Sequence, residues 1–166
     1  MPGMDLTLYE EDARRLAASL HRLCENSRCR AAFLVDRSGQ LIAAAGETAN
    51  VDTTALASLA AGNVAATGGL AQLLGEKAFT VLFTEGEKDN LHISVVAQRV
   101  ILVVLFDRRS SLGLVRLRVK RASEDIGQAI AEMAMRAERE ASEGRAAFAE
   151  QFAQITDEDI DNLFRG

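Results

Sequence analysis

Apolar positions along the first third of the chain follow two rhythms. In residues 8–26, Leu16, Leu20 and Leu23 fall at steps of four and three, with Glu10, Glu11, Arg14, Arg15 and Arg22 between them. Such steps put the leucines on one side of an α-helix, so an amphipathic helix is predicted. The next two apolar runs, residues 30–35 and 40–45, are short and flank Asp36-Arg37-Ser38-Gly39. They read as two strands of a hairpin, with Gly39 supplying the freedom its turn needs. Residues 46–50 are a loop.

A second helix is predicted from Thr53, with Asp52 as its cap, Leu56, Leu59, Asn63, Leu70 and Leu74 recurring along it, and Gly75 ending it. Its large residues gather on one side, and Ser58, Ala61, Gly62, Ala65, Gly68 and Gly69 on another. An interior glycine costs a helix roughly 1 kcal/mol relative to alanine, so three so close together require a packing reason. The reason inferred is the close approach of another backbone.

Three strands follow, at residues 79–85, 91–97 and 100–106, joined by residues 86–90 and by a tight turn at Gln98-Arg99. The middle strand alternates, with Leu91, Ile93, Val95 and Ala97 opposite His92, Ser94 and Val96; the last is apolar on both faces and so belongs in the centre of the sheet. From Ser110 to about Gly144, Val115, Val119, Ala122, Ile126, Ile130, Met133 and Ala137 form the stripe of a long helix. The order helix, two strands, helix, three strands, helix, with short hairpin links, predicts an α+β domain on a five-stranded antiparallel sheet. The domain is expected to span residues 1–145, leaving 146–166 as a flexible tail. Within the tail, Thr156 caps a short helix whose apolar face is Ile160, Leu163 and Phe164. A helix so short is marginal in water and is expected to order on a partner, as a docking segment.

Composition narrows the function. With 166 residues, 48% of them hydrophobic, the chain supports one core without metal or disulfides. The formal charge of −5 argues against nucleic acid as the main partner. A local basic stretch, Arg108-Arg109, Arg116, Arg118, Lys120 and Arg121, reads as the solvated face of the long helix. The longest strongly apolar run, 100–106, is far too short for a transmembrane segment. The first residues lack the pattern of a secretory leader, so a reduced, cytoplasmic setting is expected.

Catalytic motifs are missing. No Gly-Lys dipeptide occurs, which removes the phosphate cradle of a nucleotide hydrolase, and no Gly-x-Gly-x-x-Gly follows a strand. His21, Cys24 and Cys29 are too few and too loosely spaced for a structural zinc site, and nothing in the sequence marks either cysteine as activated. No catalytic site, metal or cofactor is expected.

The segments Phe33-Leu34-Val35-Asp36, Gly39-Gln40-Leu41-Ile42, Asp52-Thr53-Thr54, Ala61-Gly62-Asn63-Val64-Ala65-Ala66, Gly68-Gly69-Leu70-Ala71, Ser111-Leu112-Gly113-Leu114-Val115 and Asp159-Ile160-Asp161-Asn162-Leu163-Phe164 resemble the roadblock family, and within it the MglB type. That resemblance implies a homodimer whose sheets join through the third strand, with the two central helices side by side. It implies one small Ras-like GTPase, of the MglA type, seated across the dimer with its hydrolysis accelerated. Carried over by position, Ala65 and Gly69 are contact residues, with Ala61 and Gly68 beside them in the GTPase-binding set. Arg37, Arg108 and Arg109 lie in expected turns and could act as arginine fingers, but none lies on the small-residue face, and the family is understood to work without a supplied arginine, so reshaping of the GTPase's switch loops is the favoured mechanism. The resemblance further implies a cell-polarity and motility regulator, concentrated at a cell pole. The alternative is a roadblock scaffold that bridges partners without changing a rate.

Overall fold

The leucines of the first amphipathic segment close over one face of a sheet. The computed structural model describes residues 9–165. Helix α1 (Glu10–Ser27) buries Leu16, Leu20 and Leu23 against strands β1 (Ala31–Asp36) and β2 (Leu41–Gly46). The hairpin turn is organised by the Asp36 carboxylate, whose Oδ1 accepts hydrogen bonds from the backbone N–H groups of Ser38 (3.0 Å) and Gln40 (2.9 Å). Gly39 sits at φ +93°, a conformation that favours glycine.

Helix α2 (Thr53–Leu74) starts and stops as its sequence signals require. Asp52 Oδ1 accepts from the Ala55 N–H at 3.0 Å, and Gly75 closes the helix at φ +75°. Strands β3 (Val81–Glu85), β4 (Asn90–Val96) and β5 (Val100–Phe106) complete one antiparallel sheet of order β2-β1-β5-β4-β3. The doubly apolar β5 is the central strand, as its composition predicts, and β3 pairs only with β4.

Side chains alternate across this sheet. Ala31, Phe33, Val35, Ile93, Ile101 and Val103 form a core with α2, while Ala32, Leu34, Leu102, Val104 and Phe106 are buried toward α1 and α3 (Leu112–Ala153). A short helix α4 (Asp157–Phe164) follows. Among the described residues the chain divides into two compact units, one ending at Ala131 and one running from Glu132 onward.

Several boundaries differ from the sequence reading, most of them by a residue or two. Strand β3 starts at Val81, two residues late. The β4–β5 turn occupies residues 97–99, with Ala97 at φ +52° and Gln98 at φ +58°. Such a turn ordinarily carries Asn or Gly, and without them its position was not legible. Helix α3 continues past Gly144 to Ala153, because alanine, glutamate and arginine favour helix and no breaker intervenes.

One buried polar group makes the fold sensitive to acid. His92 on β4 is 2% exposed, and its Nδ1 has no hydrogen-bond partner. Burial and the charge of Arg116 depress its pKa below the ordinary 6.5. The unfolded chain therefore binds this proton more readily, so stability is complete above about pH 6.5 and declines as the pH falls below it. His92→Leu removes both the titration and the orphaned nitrogen. It is expected to gain about 1 kcal/mol at neutral pH, and its melting temperature should fall less than the wild type's between about pH 7 and 5.5. Equal slopes for the two proteins would assign the dependence to another group.

Candidate partner-binding surface

Helix α2 meets the sheet through its smallest side chains. Ala57, Ala60 and Ala71 are its buried residues, and Ala57 and Ala60 pack over a floor that includes Phe33, Ile93, Ile101 and Val103. Where the sheet supplies the bulk, the helix comes close by offering alanine. Leu56 and Val64 add to this contact from its edges. The remaining leucines point away: Leu59, Leu70, Leu73 and Leu74 are 55–83% exposed. The large-residue side read from the sequence is thus mostly the outer one, with Leu56 alone of its named leucines in the core contact.

Two stripes lie side by side on that outer face. Ser58, Gly62, Ala65 and Gly69 follow at steps of four, three and four, and Leu59, Ala66, Leu70 and Leu73 at seven, four and three. A Cβ built on Gly62, Gly68 or Gly69 meets nothing within 4 Å. The glycines therefore have no packing role within this protomer, and the cost they impose on the helix is unexplained by it. Of the four residues expected to contact a GTPase, Ala65, Gly68 and Gly69 are exposed. Ala61 is turned inward: it is half-buried against the core, and a Cβ on Gly39 would stand 3.7 Å from its methyl group. One residue past Ala60, it lies at the rim of the buried face.

The arginines considered as fingers separate into two kinds. Arg37 and Arg108 are exposed in turns. Arg109 is held by Asp107 (Nε–Oδ1 3.1 Å) and Glu47 (3.1 Å), and Glu47 also binds Arg30, which reaches Asp89 at 2.7 Å. These partners raise the pKa of Arg109 and lower those of Glu47 and Asp107, keeping the network ionised. The other members of the basic stretch, Arg116, Arg118, Lys120 and Arg121, are exposed on α3, the solvated face expected of them.

Helix α4 is capped from both directions at its N-terminus. Thr156 Oγ1 accepts from the Asp159 N–H at 3.3 Å while the Asp159 carboxylate accepts from the Thr156 N–H at 3.1 Å. These two bonds form a reciprocal capping box. Its apolar face is open, with Leu163 80% and Phe164 87% exposed, and Ile160 exposed as well.

Of the three soft ligands weighed in the sequence, only Cys24 and Cys29 come together, with their sulfurs 3.0 Å apart. Among the described residues no group of three His, Cys, Asp or Glu side chains is placed to hold a metal, and no helix is long and apolar enough to cross a membrane.

A central helix on a five-stranded antiparallel sheet, flanked opposite by two helices, is the roadblock arrangement. The roadblock/LC7 domain matches residues 19–106, and the chain belongs to that family. It is similar to Myxococcus xanthus MglB at 51% identity, covering 76% of this chain and 96% of that one with a TM-score of 0.73. The gliding protein MglB of Thermus thermophilus is 34% identical, covering 77% and 97%, with a TM-score of 0.72. An MglB solved in a tetrameric arrangement is 33% identical, covering 78% and 97%, with a TM-score of 0.73. No curated protein matches the chain.

Proposed function

We propose that this chain is a homodimeric activator of a small Ras-like GTPase of the MglA type, a regulator of polarity and motility with no catalytic site of its own. The observation that carries the reading is the outer face of α2. Gly62, Ala65, Gly68 and Gly69 leave the helix backbone uncovered, while its inner face is already satisfied by alanine. Surfaces without side chains serve close backbone approach, and the similarity to MglB proteins supports a GTPase as the approaching partner. The stoichiometry we propose is one GTPase per homodimer, seated across the paired α2 helices and their two small-residue stripes. The setting we propose is cytoplasmic, at a cell pole.

Activation here works by reshaping the GTPase's switch loops. Arg109 is engaged by two carboxylates, and Arg37 and Arg108 lie outside the small-residue stripe. An activator of this kind must bind the hydrolysis-competent switch conformation more tightly than the resting one, since equal affinity shifts nothing. The test is hydrolysis of GTP by a cognate Ras-like GTPase with and without the protein. Acceleration that survives Arg37→Ala, Arg108→Ala and Arg109→Ala is expected. Binding without acceleration would instead establish the scaffold reading.

The tail is a second contact in this reading, docking on the GTPase through Ile160, Leu163 and Phe164. Burying these side chains contributes up to ~2 kcal/mol each, less the cost of immobilising the segment, for a net effect of about tenfold in affinity. Removal of residues 155–166 is expected to leave thermal stability nearly unchanged and to weaken GTPase binding by about that factor. Titration of both forms against the GTPase by calorimetry checks it, and equal affinities would remove the tail from the interface.

A further inference from the structure

Helix α1 ends at an arginine in a conformation usually left to glycine. Arg28 has φ +57°, which reverses the chain and folds residue 29 back over the last turn of the helix. In helix endings of this kind the residue after the left-handed one regularly touches the residue five positions earlier, most often through apolar side chains. Here those two positions are Cys29 and Cys24, and their sulfurs are 3.0 Å apart.

The two thiols are not equivalent. Cys24 lies within hydrogen-bonding reach of the Ala45 carbonyl (3.8 Å), and its pKa is raised by the hydrogen bond to Cys29 and by burial. Cys29 is shifted the other way: its hydrogen bond with Cys24, then its contact with the Ser27 hydroxyl, lowers its pKa against the opposing effect of burial. Both are half-buried, so neither is sealed from solutes. The pairing of the two thiols was not legible in the sequence, because it depends on a chain reversal at Arg28 that carries no glycine to announce it.

We propose that Cys24 and Cys29 are a redox-active dithiol, in which Cys29 is oxidised by a hydroperoxide and Cys24 resolves the product to an intramolecular disulfide. In the first step the Cys29 thiolate attacks one peroxide oxygen. The S–O bond forms, the O–O bond breaks, and hydroxide leaves. In the second, the Cys24 sulfur attacks the Cys29 sulfenic sulfur. The S–S bond forms, the S–O bond breaks, and the released hydroxide takes the Cys24 proton as water. Two thiols are thereby oxidised by two electrons and one hydrogen peroxide is reduced to two waters. The step needs the sulfurs to approach by about 1 Å, to the ~2.05 Å of a disulfide. A dithiol reductant reverses it by exchange through a mixed disulfide.

The experiment uses the full-length protein, titrated with hydrogen peroxide and followed by intact mass. The expected result is loss of two hydrogen atoms per chain with no intermolecular product, restored by dithiothreitol. At neutral pH, iodoacetamide should modify Cys29 on the order of tenfold faster than Cys24. In Cys24→Ser the sulfenic acid should persist on Cys29 and be trapped by dimedone, while Cys29→Ser should give no adduct at Cys24. Phenylarsine oxide, which bridges paired thiols, tests the unmutated protein independently and should bind one per chain. Disulfides formed only between chains, equal alkylation rates, or failure to bind the arsenical would each overturn the proposal.

Discussion

Gly69→Arg is expected to abolish GTPase binding and activation while leaving the dimer intact and the melting temperature unchanged or slightly raised. The direction on stability follows from the helix itself. Gly69 lies inside α2 with ordinary helical backbone, and a Cβ there meets nothing within 4 Å. Replacing an interior helical glycine by a good helix former recovers up to about 1 kcal/mol. The direction on binding follows from the opposite consideration. A partner that needs the bare backbone at Gly69 meets a long side chain whose charge it would have to bury unpaired, a cost of about 3 kcal/mol or more, at least about 100-fold in affinity. Ala65→Arg, equally exposed and also on the stripe, should behave alike, with a neutral effect on stability. Affinity and single-turnover hydrolysis, read beside thermal melts, decide the matter. Wild-type activation by a folded Gly69→Arg protein would refute the site, whereas unfolding would show that the face is core.

The contrast between Gly69 and Ala61 shows how far the surface was legible. Glycines within a helix advertise themselves because each is costly, and the structure leaves Gly62, Gly68 and Gly69 bare. An alanine costs nothing in either setting, so Ala61 at the rim of the inner face could not be told from Ala65 on the outer one. The leucines failed for a related reason. Periodicity reports that Leu59, Leu70 and Leu74 share a side, and the usual assumption sends that side to the core. On this sheet Phe33, Ile101 and Val103 already fill the space, and α2 lies over them chiefly through Ala57 and Ala60, with Leu56 and Val64 at the edges. Strand β5 was readable because Val100–Phe106 is apolar on both faces, which only a central position tolerates. The Ala97-Gln98 turn and the Arg28 cap were not, because all three residues hold left-handed backbone without the glycine or asparagine that normally signals it.

Val81→Pro is expected to convert a dimer to a monomer without unfolding it. Strand β3 is bonded on one side only, to β4, with Leu82 opposite Ile93 and Thr84 opposite Leu91. The Val95 N–H donates to the Thr80 carbonyl at 3.0 Å, so in antiparallel alternation Leu82 and Thr84 turn their backbone groups toward β4. Val81, Phe83 and Glu85 then turn theirs toward the open edge. An uncapped edge is a pairing surface, as are the exposed leucines of α2, and a second copy extending the sheet and covering the helix buries both. Proline at position 81 sacrifices no bond to β4 and stands where edge strands accept it, yet it removes a donor and places its ring against an incoming strand. Two-fold symmetry repeats the damage in the partner, so each loss counts twice. With about 1 kcal/mol per lost hydrogen bond and a steric cost on top, the dimer should weaken by roughly a hundredfold or more. Leu73→Glu tests the helical half of the same interface at a residue 83% exposed, where the monomer has nothing to lose. Light scattering at micromolar concentration should give twice 17.9 kDa for the wild type and 17.9 kDa for Val81→Pro. A wild-type mass of one chain would remove the dimer, and both variants staying dimeric would move the interface away from β3 and α2.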